Sequence, residues 1–322
     1  MTTDTPTVTP AALPAGRLRR RLGDLTLQSI AGLAAVGLAV LMVLLVWEVV
    51  DLARPAISKF GFGFLTSSIW NAVPDKFGAA DLILGTLITA LVALLIAVPI
   101  AIAIGLFLSE LAPKALRTPV GTMVELLAAI PSVVLGLWGI LILGPFLNEH
   151  VEPFMIDHLG FIPFLDGYPS PVGLLPACLI LTLMVVPIVA SISRELFASV
   201  PGDLKHGAMA LGATRWEMVR GVAIPQVSGG LVAAVMLGFG RAVGEAIAVA
   251  QVIGGSLTRP ENLYAPADTM ASRLAAQFAG TATSLQKASL AYLAVILLVI
   301  SLITNLAAQL IVRRIQRKLG HA

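Results

Sequence analysis

Charge is scarce in this sequence: only 12% of its 322 residues are Asp, Glu, Lys or Arg, about half the share found in soluble domains. With 57% of the residues hydrophobic, a chain whose whole surface meets water is excluded. Cysteine is nearly absent. Cys178 stands alone, so the chain closes no disulfide within itself, and the residue reads as a small apolar packing group. No lysine follows a glycine. The residues ahead of the lysines are Ser58, Asp75, Pro113, Leu204, Gln286 and Arg317, which excludes a Gly-Lys-Ser/Thr phosphate loop. His150 and His158 have no ligand constellation around them, so no metal ligand is assigned. No Ser-His-Asp, metal-hydrolase or dinucleotide constellation is traceable, and no internal repeat.

Long uncharged runs are what the chain has instead. They cover Leu25–Trp47, Leu82–Ser109, Leu126–Asn148, Ser170–Ser193, Gly221–Gly240 continuing past Arg241 and Glu245, and Ala288–Val312. Each is long enough for the roughly 20 helical residues that cross a hydrocarbon core about 30 Å thick. Strands of a barrel would be far shorter and alternating. The fold class is therefore all-α: a polytopic integral membrane bundle of about six transmembrane helices. Residues 1–24 read as a disordered basic tail, and 25–322 as the transmembrane domain, with its core at about 80–312. Taking the amino terminus as cytoplasmic, fourteen lysines and arginines fall on that side and six on the other, with Arg241 inside a span. The positive-inside rule then places both termini in the cytosol. The cluster Arg313–Lys318 is expected to meet anionic lipid headgroups, and no nucleic-acid partner is expected.

Between the connections, three local readings matter. Phe60, Phe62, Phe64 and Trp70 are expected at the membrane surface as aromatic anchors. A short proline-bounded loop carrying Lys114 and Arg117 is expected before the third span. Pro131 is expected to kink that span, with Gly136 and Gly139 allowing close backbone packing.

Residues 200–225 form a charged island between apolar runs. Pro201 and Asp203 suit a helix start, since proline there gives up only an orphan N–H and the carboxylate favours the positive end of the dipole. Gly212 suits the left-handed turn past a helix end. Thr214 with Glu217 three residues later forms a capping-box pattern, and Pro225 opens the next apolar run. The order His206-Gly207-Ala208-Met209-Ala210-Leu211-Gly212, then Val222-Ala223-Ile224-Pro225, resembles the EAA loop of ABC-importer permeases. His206 stands where that motif has glutamate and Gly207 where it has its first alanine. The resemblance implies a coupling helix that docks on a separate ATPase, through Asp203, His206, Gly207, Ala208, Gly212, Thr214, Glu217 and Pro225.

Two further strings, Ala128-Ala129-Ile130-Pro131-Ser132-Val133-Val134-Leu135-Gly136-Leu137-Trp138-Gly139 and Asn262-Leu263-Tyr264-Ala265-Pro266-Ala267-Asp268-Thr269-Met270, resemble the permeases of phosphate-specific ABC importers. The likeness covers roughly residues 80 to 310. It implies phosphate uptake across a bacterial cytoplasmic membrane, with a second permease subunit, an ATP-binding subunit dimer and an external phosphate-binding protein. No cofactor is then bound by this chain, and ATP and Mg belong to the partner ATPase. A permease for another oxyanion and an ion-coupled secondary transporter are the alternatives. Arg241 and Glu245 form the ionisable pair deep in a span, where such residues generally face a cavity or a partner. On one continuous helix they would lie about 40° and roughly 6 Å apart. The pair reads as an arginine fork for phosphate, as a charge-compensated gate, or as a static pair joining two subunits.

Overall fold

Small residues recur at every third or fourth position of one long apolar helix, and that stripe organises the bundle. Ala90, Ala93, Ala97, Ala101 and Gly105 are buried on Ala80–Leu111, facing the helix Leu174–Ser199. A Cβ on Gly105 would stand 2.6 Å from Ser193 Cβ and 2.9 Å from Arg194 N, so glycine sets how closely the two backbones approach. In hydrocarbon, where apolar burial drives little, such close packing is a main source of helix association.

The structure, a computed structural model, describes residues 15–319. Among the described residues six helices are long and apolar enough to cross a membrane: Leu27–Phe60, Ala80–Leu111, Ser132–Leu159, Leu174–Ser199, Arg215–Gly244 and Ser284–Arg314, numbered spans 1 to 6 below. The all-α, six-span architecture is as the sequence implies. The backbone is already helical from Ala15, within the later part of the expected tail; the part before Ala15 lies outside the described residues.

The chain forms two units, one ending at Asp51 and one beginning at Leu52. In the first, the apolar side chains of span 1 from Leu27 to Trp47 are exposed, as expected of a helix surrounded by hydrocarbon. In the second, span 4 is central and two-thirds buried (67%). Span 2 lies along it, and span 5 packs on spans 4 and 6. Gly238 admits Val185 and Val189 against span 5, each within 2.9 Å of where its Cβ would be.

Four expectations need correction. The loop expected before span 3 is a helix, Lys114–Ala128, whose Glu125 carboxylate accepts from Arg194 at 2.8 Å. Pro131 does not kink span 3 but ends that helix and starts the next: its backbone is extended (φ −59°, ψ 138°) and Ser132 opens the new helix. The reason is steric, since a proline disfavours helical backbone in the residue before it. Span 3 then continues past Asn148 to Leu159 through two π-helical turns, Gly139–Leu143 and Leu147–Val151, so the connection to span 4 is shorter than expected. Further π-helical turns lie at Phe107–Leu111 and Val219–Ala223. Finally, the aromatic residues are not all surface anchors. Phe64 is fully buried and stacks on Tyr292 with ring centroids 4.6 Å apart, while Phe60, Trp70 and Phe77 pack around it; Phe62 alone of the expected set is strongly exposed, at 86%.

The segment between spans 5 and 6 threads back into the bundle. Gly254 and Gly255 take the left-handed backbone that lets it turn (φ +89° and +65°). Asn262 Oδ1 accepts from the N–H groups of Tyr264 and Ala265, Tyr264 is fully buried and donates its hydroxyl to Leu165 O at 3.0 Å, and Leu175 N donates to Leu263 O. Asp268 O lies 2.1 Å from where a Cβ on Gly85 would be, and Met270 N donates to Thr86 Oγ1. Thr269 and Ser272 cap the helix Met270–Gln277 reciprocally. Beside that cap Asp268 pairs with Arg273, both buried, and Arg273 also donates to Gly255 O at 3.1 Å. Burial pushes the Asp268 carboxyl above its ordinary range despite the opposing pull of Arg273, and pushes the Arg273 guanidinium below its own.

Candidate functional site

Two places in the second unit gather the residues singled out by sequence. The first is the helix-turn-helix at Gly202–Met218. Pro201 precedes the helix Gly202–Ala210 with Asp203 in its first turn. Gly212 has φ +90°; its N–H donates to Met209 O at 3.0 Å and that of Ala213 to Ala208 O at 3.2 Å, the paired bonds of a glycine-terminated helix. The chain restarts at Thr214. Its hydroxyl accepts from Glu217 N, and the Glu217 carboxylate accepts from Thr214 N at 2.8 Å, a reciprocal capping box. Arg215–Met218 then passes through the π-helical turn Val219–Ala223 into Ile224–Gly244, where Pro225 lies in the first turn. The second helix of the motif is thus the beginning of span 5.

His206 and Gly207 are exposed, while Ala208 is half-buried against a cluster around Phe197, Met218 and Val219. Sequence reasoning passed over the apolar tip. Leu211 is 91% exposed and Trp216 62%, on either side of the Gly212 turn, and the signal was present as large apolar residues inside a charged island. It also passed over Lys205 and Glu110. The Lys205 ammonium donates to the Glu110 carboxylate at 2.6 Å and to Phe197 O at 2.9 Å, beside a cleft of about 160 Å³ lined by His206, Met209, Arg215 and Met218.

The second place is the end of span 5. The helix stops at Gly244, Glu245 is extended (φ −72°, ψ 120°), and Ile247–Val252 restarts as a short helix. Arg241 and Glu245 do meet: Arg241 Nη2 lies 3.2 Å from Glu245 Oε2. They are not, however, one turn apart on a continuous helix. Glu245 sits at the break, and its other oxygen accepts from Ala248 N at 3.3 Å, which satisfies a backbone donor at the start of the short helix. Burial is asymmetric. The Glu245 side chain is 4% exposed and that of Arg241 46%, so the carboxylate is anchored inside while half of the arginine faces outward.

The short helix packs on the start of span 3, where the glycines of the Ala128–Gly139 string make room. A Cβ on Gly136 would lie 2.7 Å from Gln251 Oε1 and 2.9 Å from Ala248 Cα, and one on Gly139 would lie 2.7 Å from Val252 Cγ1. A broken helix at membrane depth is tolerated where protein or a cavity covers its freed backbone. Here the cover comes from span 3 and from Glu245. The break therefore holds a single fixed carboxylate, that of Glu245, beside the half-exposed Arg241.

Residues 97–317 match the family model of the binding-protein-dependent transport system inner membrane component. The phosphate transport system permease protein PstC of Haemophilus influenzae is 42% identical over 269 residues, which is 82% of this chain and 85% of that protein. PstC of Pasteurella multocida is 40% identical over 308 residues, 94% of this chain and 96% of its own length. Among solved structures, a bacterial alginate ABC transporter in complex with its alginate pentasaccharide-bound periplasmic protein aligns with a TM-score of 0.56 over 90% of this chain and 97% of that one; at 18% identity this speaks for the fold alone. Similarity at that level across nearly the whole length leaves one assignment: this multi-pass membrane chain belongs to the PstC family of phosphate transport permeases, within the binding-protein-dependent inner membrane components.

Proposed function

We propose that this chain is one of two membrane-spanning permease subunits of an ATP-driven importer of inorganic phosphate. The observation that carries the reading is the 40% identity, over 94% of the chain, to a permease named for phosphate transport. In this reading the substrate arrives on an external phosphate-binding protein. ATP and its Mg belong to a dimer of ATP-binding subunits, consistent with the absence of any Gly-Lys pair in this sequence. The ATPase seats on the helix-turn-helix, where Leu211 and Trp216 offer apolar contact and Asp203, His206, Gly207 and Ala208 lie on or beside the same helix. The chain sits in the cytoplasmic membrane with both termini and this motif in the cytosol.

Arg241 and Glu245 belong to the phosphate pathway or its gate. Arginine suits a tetrahedral oxyanion because its planar fork gives two parallel donors at once. The buried carboxylate at the helix break keeps that fork neutralised when no anion is present, which also limits the cost of a cation at this depth.

The test is reconstitution. The chain, a candidate second permease, the ATP-binding subunit and the binding protein are placed in proteoliposomes, and uptake of labelled phosphate is followed with and without ATP. Uptake that needs ATP and all four components supports the reading; uptake of another oxyanion in preference to phosphate, or uptake without ATP, overturns it. Orientation has its own check. In a chain with Cys178 replaced by alanine, a membrane-impermeant thiol reagent added to intact cells should label Asp157→Cys and miss Arg215→Cys. Equal labelling would refute the assigned topology.

A third expectation concerns Gly212. Nothing in this chain lies within 4 Å of where its side chain would be, so within the chain a substitution acts through the backbone. A β-branched residue at φ +90° is strained by roughly 1–3 kcal/mol. Gly212→Val should insert normally yet retain less ATP-binding subunit in a pull-down and take up less phosphate. Wild-type retention together with wild-type uptake would count against this turn as the docking element.

A further inference from the structure

The helix Gly202–Ala210 buries no residue of its own. Among the described residues, Lys205 is the only one in it whose side chain hydrogen-bonds beyond the helix, and it does so twice. One bond reaches Glu110, at the end of span 2, and the other reaches the carbonyl of Phe197, near the end of span 4. Glu110 is fixed in turn by Ser109 Oγ, which donates to the same carboxylate oxygen at 2.8 Å. Both charged side chains are only 13% exposed, so water and salt screen the contact weakly. Spans 2 and 4 are already held together by the alanine stripe and by Gly105.

We propose that Lys205 and Glu110 are positioning residues that make span 2 move with the coupling helix. The chain itself connects that helix only to spans 4 and 5. A displacement imposed by the ATPase would otherwise reach span 2 indirectly, through packing. The Lys205 strut gives it a direct connection: one ammonium holds the helix to both span ends, and the π-helical turn Phe107–Leu111 aims Glu110 at it. Turns of this kind recur at functional sites because the additional residue reorients the side chains around it. The effect of the two residues is on the coupling between hydrolysis and transport, an inference that rests on the proposed importer function.

The experiment uses the complete complex in proteoliposomes, with Cys178→Ala as background. Spin labels at Lys114→Cys, just beyond span 2, and at Ala210→Cys, in the coupling helix, report their separation. The expected result is one distance distribution, the same in the ATP-free complex and in the vanadate-trapped one. Adding Lys205→Met should broaden it and make it differ between the two states. In parallel, Lys205→Met, which removes both charge-assisted hydrogen bonds, should lower phosphate taken up per ATP hydrolysed by roughly tenfold or more, since tenfold is the factor that goes with losing one of them. Lys205→Arg should restore most of it. A separation that changes between the two states in the unsubstituted strut overturns the proposal, even if Lys205→Met fails to assemble. So does an assembled Lys205→Met complex with wild-type uptake per ATP. Absence of ATP-dependent uptake in the background complex itself would instead refute the importer function.

Discussion

If Arg241 serves the proposed phosphate pathway or its gate, Arg241→Gln, in a complex that still assembles, is expected to lower phosphate uptake by roughly tenfold or more, the loss that goes with one charge-assisted contact. A guanidinium carries five donors. In this chain one of its nitrogens engages Glu245 at 3.2 Å, and the side chain is nearly half exposed, so donors remain for an anion. Glu245→Gln acts differently. Its amide oxygen can still accept from Ala248 N, so the break after Gly244 survives and only the charge is lost. Both single substitutions should impair uptake, and the double variant separates the two roles. If the pair works as a gate whose charges must cancel, Arg241→Gln with Glu245→Gln recovers relative to either alone. If arginine passes the anion directly, the double variant stays as poor as Arg241→Gln. Uptake at the wild-type level by an assembled Arg241→Gln complex would remove this arginine from the pathway altogether.

The second large effect concerns stability. Arg273→Met should lower the unfolding free energy by about 3–5 kcal/mol, because it leaves the buried Asp268 carboxylate without its counter-charge. The double variant Arg273→Met with Asp268→Asn should recover a large part of that loss. Burial shifts both groups toward their neutral forms against their mutual attraction, so the pair gains less than its proximity suggests. The pH dependence has a definite sign. A carboxyl held above its unfolded value binds its proton more readily in the folded state, so stability is gained as pH falls through the folded value and lost as pH rises. With Arg273 gone the upward push is unopposed, so the deficit of Arg273→Met should shrink on mild acidification. Thermal unfolding of the detergent-solubilised chain at several pH values measures this. A single variant as stable as the wild type, or a deficit that does not respond to pH, would contradict it.

What sequence could and could not reveal divides along contact range. The capped restart at Thr214 and the turn at Gly212 depend on residues within four positions of one another, and both are present as read; Pro225, expected to open the span, lies instead within span 5, in the first turn of Ile224–Gly244. The Arg241–Glu245 contact was also legible, but its geometry was not. Nothing in the order Gly244-Glu245-Ala246 announces a helix break inside an apolar run, because what stabilises it is a side chain folding back on Ala248 and the packing of span 3. The helix Lys114–Ala128 is hidden in the sequence because Pro119 and the charges interrupt its apolar pattern, whereas its packing on span 4, where Glu125 meets Arg194 69 positions on, leaves no local sign. Lys205 and Glu110, 95 apart, leave no periodic trace at all.

The π-helical turn Val219–Ala223 bears on how the helix-turn-helix and the charged pair face one another. Such a turn holds one residue more than an α-turn, which offsets the angular count along span 5 by about 100°. Counted as a uniform α-helix from the cap at Thr214, Arg241 would point to a different flank of the bundle. The turn therefore acts as a phase setting. It sets which way the charged pair at the far end of this one helix faces relative to the capped helix-turn-helix at its amino-terminal end, with no loop added between the two.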